Sequence, residues 1–79
     1  MDEIEKIKVE LAEEFLDNAD PNKISGNREV LVSLLKRAVF RIESNELVAV
    51  WSGPLGTITA RARLTERARE LLEKLEKYF

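Results

Sequence analysis

Residues 46–64, ELVAVWSGPLGTITARARL, decide the fold. Leu47 to Trp51 is a run rich in β-formers. Ser52-Gly53-Pro54-Leu55-Gly56 places two glycines and a proline in five residues, which ends any regular element and marks a turn. Thr57 to Leu64 is then the returning strand. A five-residue loop sets Trp51 opposite Thr57 and Val50 opposite Ile58. Val48, Val50, Ile58, Ala60 and Ala62 then share the buried face of a hairpin. Leu47, Trp51, Thr57, Thr59, Arg61 and Arg63 take the outer face. A slip of one residue exchanges the two faces.

Helical periodicity flanks the hairpin on both sides. Ile4, Ile7, Leu11 and Phe15 recur at three- and four-residue spacing with Leu16 beside them, which predicts a helix over 2–17. Residues 18–27 read as a loop, with Asp20-Pro21 suited to open one helical turn and Asn27 suited to cap the next helix. That second helix is expected over 28–43. Leu31, Leu34, Leu35, Ala38 and Ile42 share one of its faces, while Phe40 falls among the polar residues. Ser44-Asn45 breaks the pattern before the hairpin of 46–64. A third helix, over 65–79, starts at Thr65 and carries Ala68, Leu71, Leu72, Leu75 and Phe79 as its apolar stripe. The expected fold is α+β and mainly helical: one domain, α-α-β-β-α, with one antiparallel β-hairpin.

The 79 residues hold no Cys and no His, so disulfides, thiolate sites and imidazole ligands are excluded. A chain this short buries only about 60% of its unfolded surface. Good helices or association with another chain are the remaining sources of extra stability. Charged residues make up 35% of the chain, Gln is absent and Met stands only at position 1, a mix resembling that of proteins from hot environments. The formal charge of −2 is uneven. Residues 1–19 hold seven acids and two bases, residues 20–63 four acids and seven bases, and residues 64–79 four of each. No apolar run approaches the ~20 residues that span a bilayer. The opening Met1-Asp2-Glu3-Ile4-Glu5 is acidic where a signal peptide is basic, so no membrane is expected and a cytoplasmic location is.

Catalytic equipment is missing from the sequence. No Ser carries the signature of an activated nucleophile, and no phosphate-loop or dinucleotide fingerprint appears. Asn18, Asp20, Asn22 and Glu29 fall at the spacing of an EF-hand calcium loop. Asn at its first position and Lys23 where the turn needs Gly favour a plain loop with helix caps. No enzyme activity, no cofactor and no metal is expected.

The second half of the chain resembles a winged helix-turn-helix DNA-binding domain. Arg63-Leu64-Thr65-Glu66-Arg67-Ala68-Arg69-Glu70-Leu71-Leu72 is similar to the segment with which many such regulators leave the wing, with Ala68 in place of the usual Gly. Val32-Ser33-Leu34-Leu35-Lys36-Arg37 followed by Leu47-Val48-Ala49-Val50 is similar to a recognition helix and first wing strand. The resemblance covers residues 28–72. It implies a transcriptional regulator acting as a homodimer on duplex DNA and self-associating through its C-terminal helix. Arg28, Ser33, Lys36 and Arg37 would then meet the groove or its phosphates, with Arg61 and Arg63 on the wing.

A second expectation rests on the residues alone: a non-enzymatic protein-interaction or assembly module, using the acidic first helix or the hairpin tip. Its candidate contacts are Phe40, Trp51, Leu55, Tyr78 and Phe79. Trp51 and Leu55 would form an apolar contact near the tip. The competing reading of Trp51, core filling, is the commoner fate of a lone Trp in a small domain. Tyr78 and Phe79 stand at the terminus, where an aromatic pair suggests docking within the chain or onto a second one.

Overall fold

The computed structural model describes residues 2–79. Three helices and a three-stranded antiparallel sheet follow one another as α1 (Glu3–Asn18), α2 (Arg28–Leu35), β1 (Val39–Glu43), β2 (Glu46–Gly53), β3 (Gly56–Arg63) and α3 (Glu66–Glu76). The sheet order is β1-β2-β3. The α+β class, the three helices and the β2–β3 hairpin agree with the sequence pattern. The third strand is additional to it.

Helix α1 is the centre of the molecule. Asp2 caps it by accepting from the Glu5 amide at 2.8 Å. Its apolar stripe Ile7, Leu11, Ala12 and Phe15 is buried. It touches α2, α3 and β3. The chain then turns through residues 19–27. Asp20 accepts from the Asn22 amide at 2.9 Å, and its carbonyl accepts from Lys23 and Ile24, giving the single capped turn that Asp20-Pro21 suits. The side chain of Asn27 accepts from the amides of Glu29 and Val30 and opens α2. Thr65 opens α3 by accepting from the Ala68 amide at 3.1 Å, while its hydroxyl donates to Glu14 of α1 at 2.7 Å.

The expected helix over 28–43 is corrected: α2 stops at Leu35, and residues 39–43 are strand β1. The physical reason is visible in the sequence. Continued as a helix, the segment strands Phe40 among polar neighbours. As a strand it alternates, so Phe40 and Ile42 face the helices while Val39, Arg41 and Glu43 face away. Phe40 is buried, and its ring meets that of Phe15 edge-on with centroids 5.9 Å apart. Ser44 and Asn45, at φ 50° and 62°, join β1 to β2. Two consecutive positive φ values define the tight hairpin turn whose twist matches its strands. The break at Ser44-Asn45 is therefore a hairpin turn.

The β2–β3 register is also corrected. Trp51 pairs with Ile58 and Val50 with Thr59, one residue away from the sequence-based pairing. The loop has two residues, Pro54 and Leu55, because Gly53 and Gly56 already pair. Gly56 adopts φ 124°, which a side chain would oppose. The one-residue slip exchanges faces for β2. Leu47, Ala49 and Trp51 face the helices beside Ile58, Ala60 and Ala62, and Val48 and Val50 face away with Arg61 and Arg63. Val48 is nonetheless fully buried and stands apart from the main core cluster. It lies between Arg41 of β1 and Arg61 of β3. Both guanidinium groups reach Glu43, so their aliphatic stems cover Val48.

Helix α3 ends at Glu76, short of the expected 79, and residues 77–79 form a turn with Phe79 exposed. Its buried residues are Ala68, Leu71 and Leu72, packed against α1.

Replacing Phe40 with Ala removes a buried aromatic partner of α1, and large-to-small core changes of this kind cost about 3–5 kcal/mol. We expect Phe40→Ala to unfold the domain or lower its urea midpoint sharply, whereas Arg41→Ala costs far less. Equal effects of the two substitutions would contradict the strand.

Candidate interaction surfaces

Among the described residues, five of the 13 basic side chains, Arg28, Lys36, Arg41, Arg61 and Arg67, form ion pairs within the chain. On α2, Arg28 reaches Asp17 at 2.9 Å and the Glu13 carbonyl at 3.4 Å, and Lys36 reaches Glu5 at 2.8 Å. On the outer sheet face, Arg61 bridges Glu43 at 3.4 Å and Glu46 at 3.3 Å, and Arg41 pairs with Glu43. Arg63 donates to the Asn18 side chain at 3.1 Å. Arg67 reaches Glu10 at 3.2 Å. The acids of α1 thus serve as counter-ions for bases elsewhere in the fold. Exposed pairs of this kind contribute about 0–1 kcal/mol each. They matter more as competitors, since an incoming anion must displace a carboxylate.

The six sequence-derived contacts to nucleic acid are divided by the sheet. Ser33, Lys36 and Arg37 line one shallow surface with Glu5 and Lys8. Helix α2 lies on the face of the sheet from which Trp51 reaches it. Arg61 and Arg63 project from the opposite face. Arg28 stands at the other end of α2, against α1. Arg37 makes no ion pair among the described residues.

The five sequence-derived partner contacts separate as well. Phe40 belongs to the core, because β1 turns it inward, and only its margin reaches the surface, in a groove beside Phe79. Trp51 is half-buried on the helix side and packs against the core, so the core-filling reading holds for most of its ring. Its indole Nε1 donates to the Leu34 carbonyl at 2.9 Å. That carbonyl also accepts from the Arg37 amide at 3.1 Å. Trp51 therefore fastens the end of α2, where helical carbonyls lack partners, to the middle of the sheet. Leu55 is wholly exposed at the hairpin tip. Tyr78 and Phe79 are exposed, and Phe79 lines a groove with Ala38, Val39, Phe40, Leu72 and Leu75.

Five apolar residues outside those candidates stand exposed: Val30, Val39 and Ile58 at 64%, 68% and 67%, and Leu34 and Ile42 at 49% and 37%. Val30 and Leu34 are four apart and share a face of α2. Leu34 is tied to Trp51, and Trp51 faces Ile58 across the hairpin. An apolar surface therefore runs from the exposed face of α2 past Trp51 to the outer end of β3. Its sequence signal was the length of the turn, which decides the register in which Ile58 meets Trp51.

Among the described residues, no group of three or more His, Cys, Asp or Glu is placed to hold a metal ion. The residues at EF-hand spacing make other bonds: Asn18 donates to Glu14 and accepts from Arg63, and Asp20 holds its own turn. No helix of the described residues is long and apolar enough to cross a membrane. No family model matches the chain, and no curated protein and no solved structure matches it.

Trp51→Phe keeps most of the packing and loses the bond to Leu34. We expect a loss of about 1–2 kcal/mol, the combined scale of a hydrogen bond and a small cavity. Amide exchange should quicken at Arg37, whose amide shares the Leu34 carbonyl. Unchanged exchange there would contradict the fastening role of Trp51.

Proposed function

We propose that the chain is a non-enzymatic protein-interaction or assembly module whose contact surface is the apolar end formed by Val30, Leu34, Leu55 and Ile58 around Trp51. One arrangement carries this reading: exposed Leu34 is bonded through its carbonyl to Trp51, and Trp51 pairs across the hairpin with exposed Ile58, while Arg28, Lys36, Arg41, Arg61 and Arg67 are engaged by acids of the same chain. Apolar surface gathered in this way marks contact with another protein more often than with a polyanion. The acidic net charge agrees with it.

Duplex-DNA binding of the winged-helix type is the second reading. Its favourable observation is the surface shared by Ser33, Lys36 and Arg37 with Lys8, where Arg37 has no acid partner among the described residues. Against it stands the placement of Arg61 and Arg63 on the other side of the sheet.

The two readings part in a titration of a labelled random-sequence duplex, followed by fluorescence polarisation at about 50 mM and about 200 mM salt. A protein making six or more phosphate contacts loses about 10³-fold or more in affinity over that range. We expect no binding at the lower salt, and no difference between the wild type and an Arg61→Glu, Arg63→Glu double variant. Binding that falls steeply with salt and is lost in the double variant would replace the interaction reading with the DNA one.

A further inference from the structure

The sheet has two edges, and they differ. Strand β1 is five residues long and places Arg41 and Glu43 on its outer face. Its helix side is flanked by the groove that Phe79 lines. On β3, the Ala19–Ala62 bridge occupies the edge at its C-terminal end. What remains open is Gly56-Thr57-Ile58-Thr59-Ala60, a stretch without charge or proline. Edge strands are normally protected by Lys, Pro, a bulge or a covering element. The stretch carries no such device within itself: its register to β2 is unbroken and every residue in it except Ala60 is exposed, while Asp20, Lys23 and Ile24 border a groove at its Thr59–Ala60 end.

The direction of the free backbone groups is set by the register. Gly53 and Gly56 flank a two-residue turn and so form a hydrogen-bonded pair. Pairs alternate from there, which ties Ile58 and Ala60 to β2 and turns the N–H and C=O groups of Thr57 and Thr59 outward. The midpoint of the open stretch is Ile58. A two-fold axis there sets Thr57 opposite the other copy's Thr59, and Thr59 opposite its Thr57. The outward groups of both threonines are then satisfied in both chains. Ile58 meets its own counterpart in a non-hydrogen-bonded pair, the type in which side chains approach most closely. Gly56 lies opposite Ala60, so no charge meets a like charge in this window although each chain carries −2.

The exposed apolar residues Leu34, Leu55 and Ile58 all lie at this end of the sheet.

We infer that the occupant of this edge is a second copy of the chain: two β3 strands pair antiparallel about Ile58 and make a continuous six-stranded sheet with all helices on one face. The inference rests on the interaction reading and names its partner. An isologous contact of this kind closes on itself and leaves the two β1 strands as the only edges.

The test combines sedimentation of the full chain from micromolar to millimolar concentration with amide exchange of the same samples. Wild-type protein should pass from monomer to dimer, with the Thr57 and Thr59 amides fast-exchanging when dilute and protected at least tenfold in the dimer range. Ile58→Lys changes an exposed side chain, so it should keep the cooperative unfolding of the wild type and remain monomeric. Thr59→Ser should still dimerise. Three outcomes would overturn the inference. One is a monomer throughout. Another is a dimer that survives Ile58→Lys with Thr57 and Thr59 unprotected. The last is protection of those amides only by an added extended peptide of another protein. The duplex titration decides the interaction reading independently, so the two proposals fail separately.

Discussion

The edge-on contact between Phe15 and Phe40 is the interaction on which the arrangement depends. Phe15 ends the buried stripe of α1, and Phe40 is the inward residue at the start of the sheet. Such a pair contributes about 0.5–1.5 kcal/mol beyond the area it buries. Its larger effect is on topology. With Phe40 held against α1, the chain must leave the helical path after Leu35 and enter the sheet, and α2 is limited to eight residues. Trp51 then secures the new helix end by binding the Leu34 carbonyl. Three aromatic side chains thus set where helix gives way to strand, in a chain with few aromatics to use.

The outer face of the sheet shows how a small domain makes one strand residue count twice. β2 is the central strand, and both of its faces carry buried residues: Leu47 and Ala49 toward the helices, Val48 away from them. Among the described residues, no helix covers Val48. The arginines on either side do, held by Glu43 and Glu46. These ion pairs therefore act through packing as well as charge, and they commit Arg61 to a structural position. The same logic applies to α1, whose acids pair with Arg28, Lys36 and Arg67 on other elements. The acidic helix is the chain's internal counter-charge.

Much of this was legible in the sequence, and the rest was hidden for definite reasons. The stripe Ile7, Leu11 and Phe15 showed α1, and Ala68, Leu71 and Leu72 showed α3, because both helices keep one apolar face. Thr65 and Asn27 showed their capping roles by position. Residues 36–43 misled because Ala38 and Ile42 continue the helical spacing of Leu31, Leu34 and Leu35. The contrary signs were Phe40 off the stripe and the alternation of Val39 to Glu43, which only the distant partner Phe15 turns into a strand. The hairpin itself was legible, but its register depended on a turn of two residues instead of five, and that exchanged Trp51 for Val50 on the inner face. Leu34 and Ile58 were expected on buried faces, and their exposure shows that the apolar pattern extends beyond what the helices cover. Arg61 and Arg63 were rightly placed outward, yet their partners Glu43, Glu46 and Asn18 come from other parts of the chain that no local pattern connects to them.

The central claim is that contact with other molecules runs through the apolar end at Trp51 and Ile58, with Arg28, Lys36, Arg41, Arg61 and Arg67 engaged within the fold. A ¹H–¹⁵N correlation series recorded over protein concentration, and again with duplex DNA added, tests it most directly. We expect shifts with concentration at Thr57 to Ala60 and at the Trp51 indole, and none of note when DNA is added. Shifts confined to Ser33, Lys36 and Arg37 on addition of DNA, with the Trp51 indole unmoved by concentration, would contradict it.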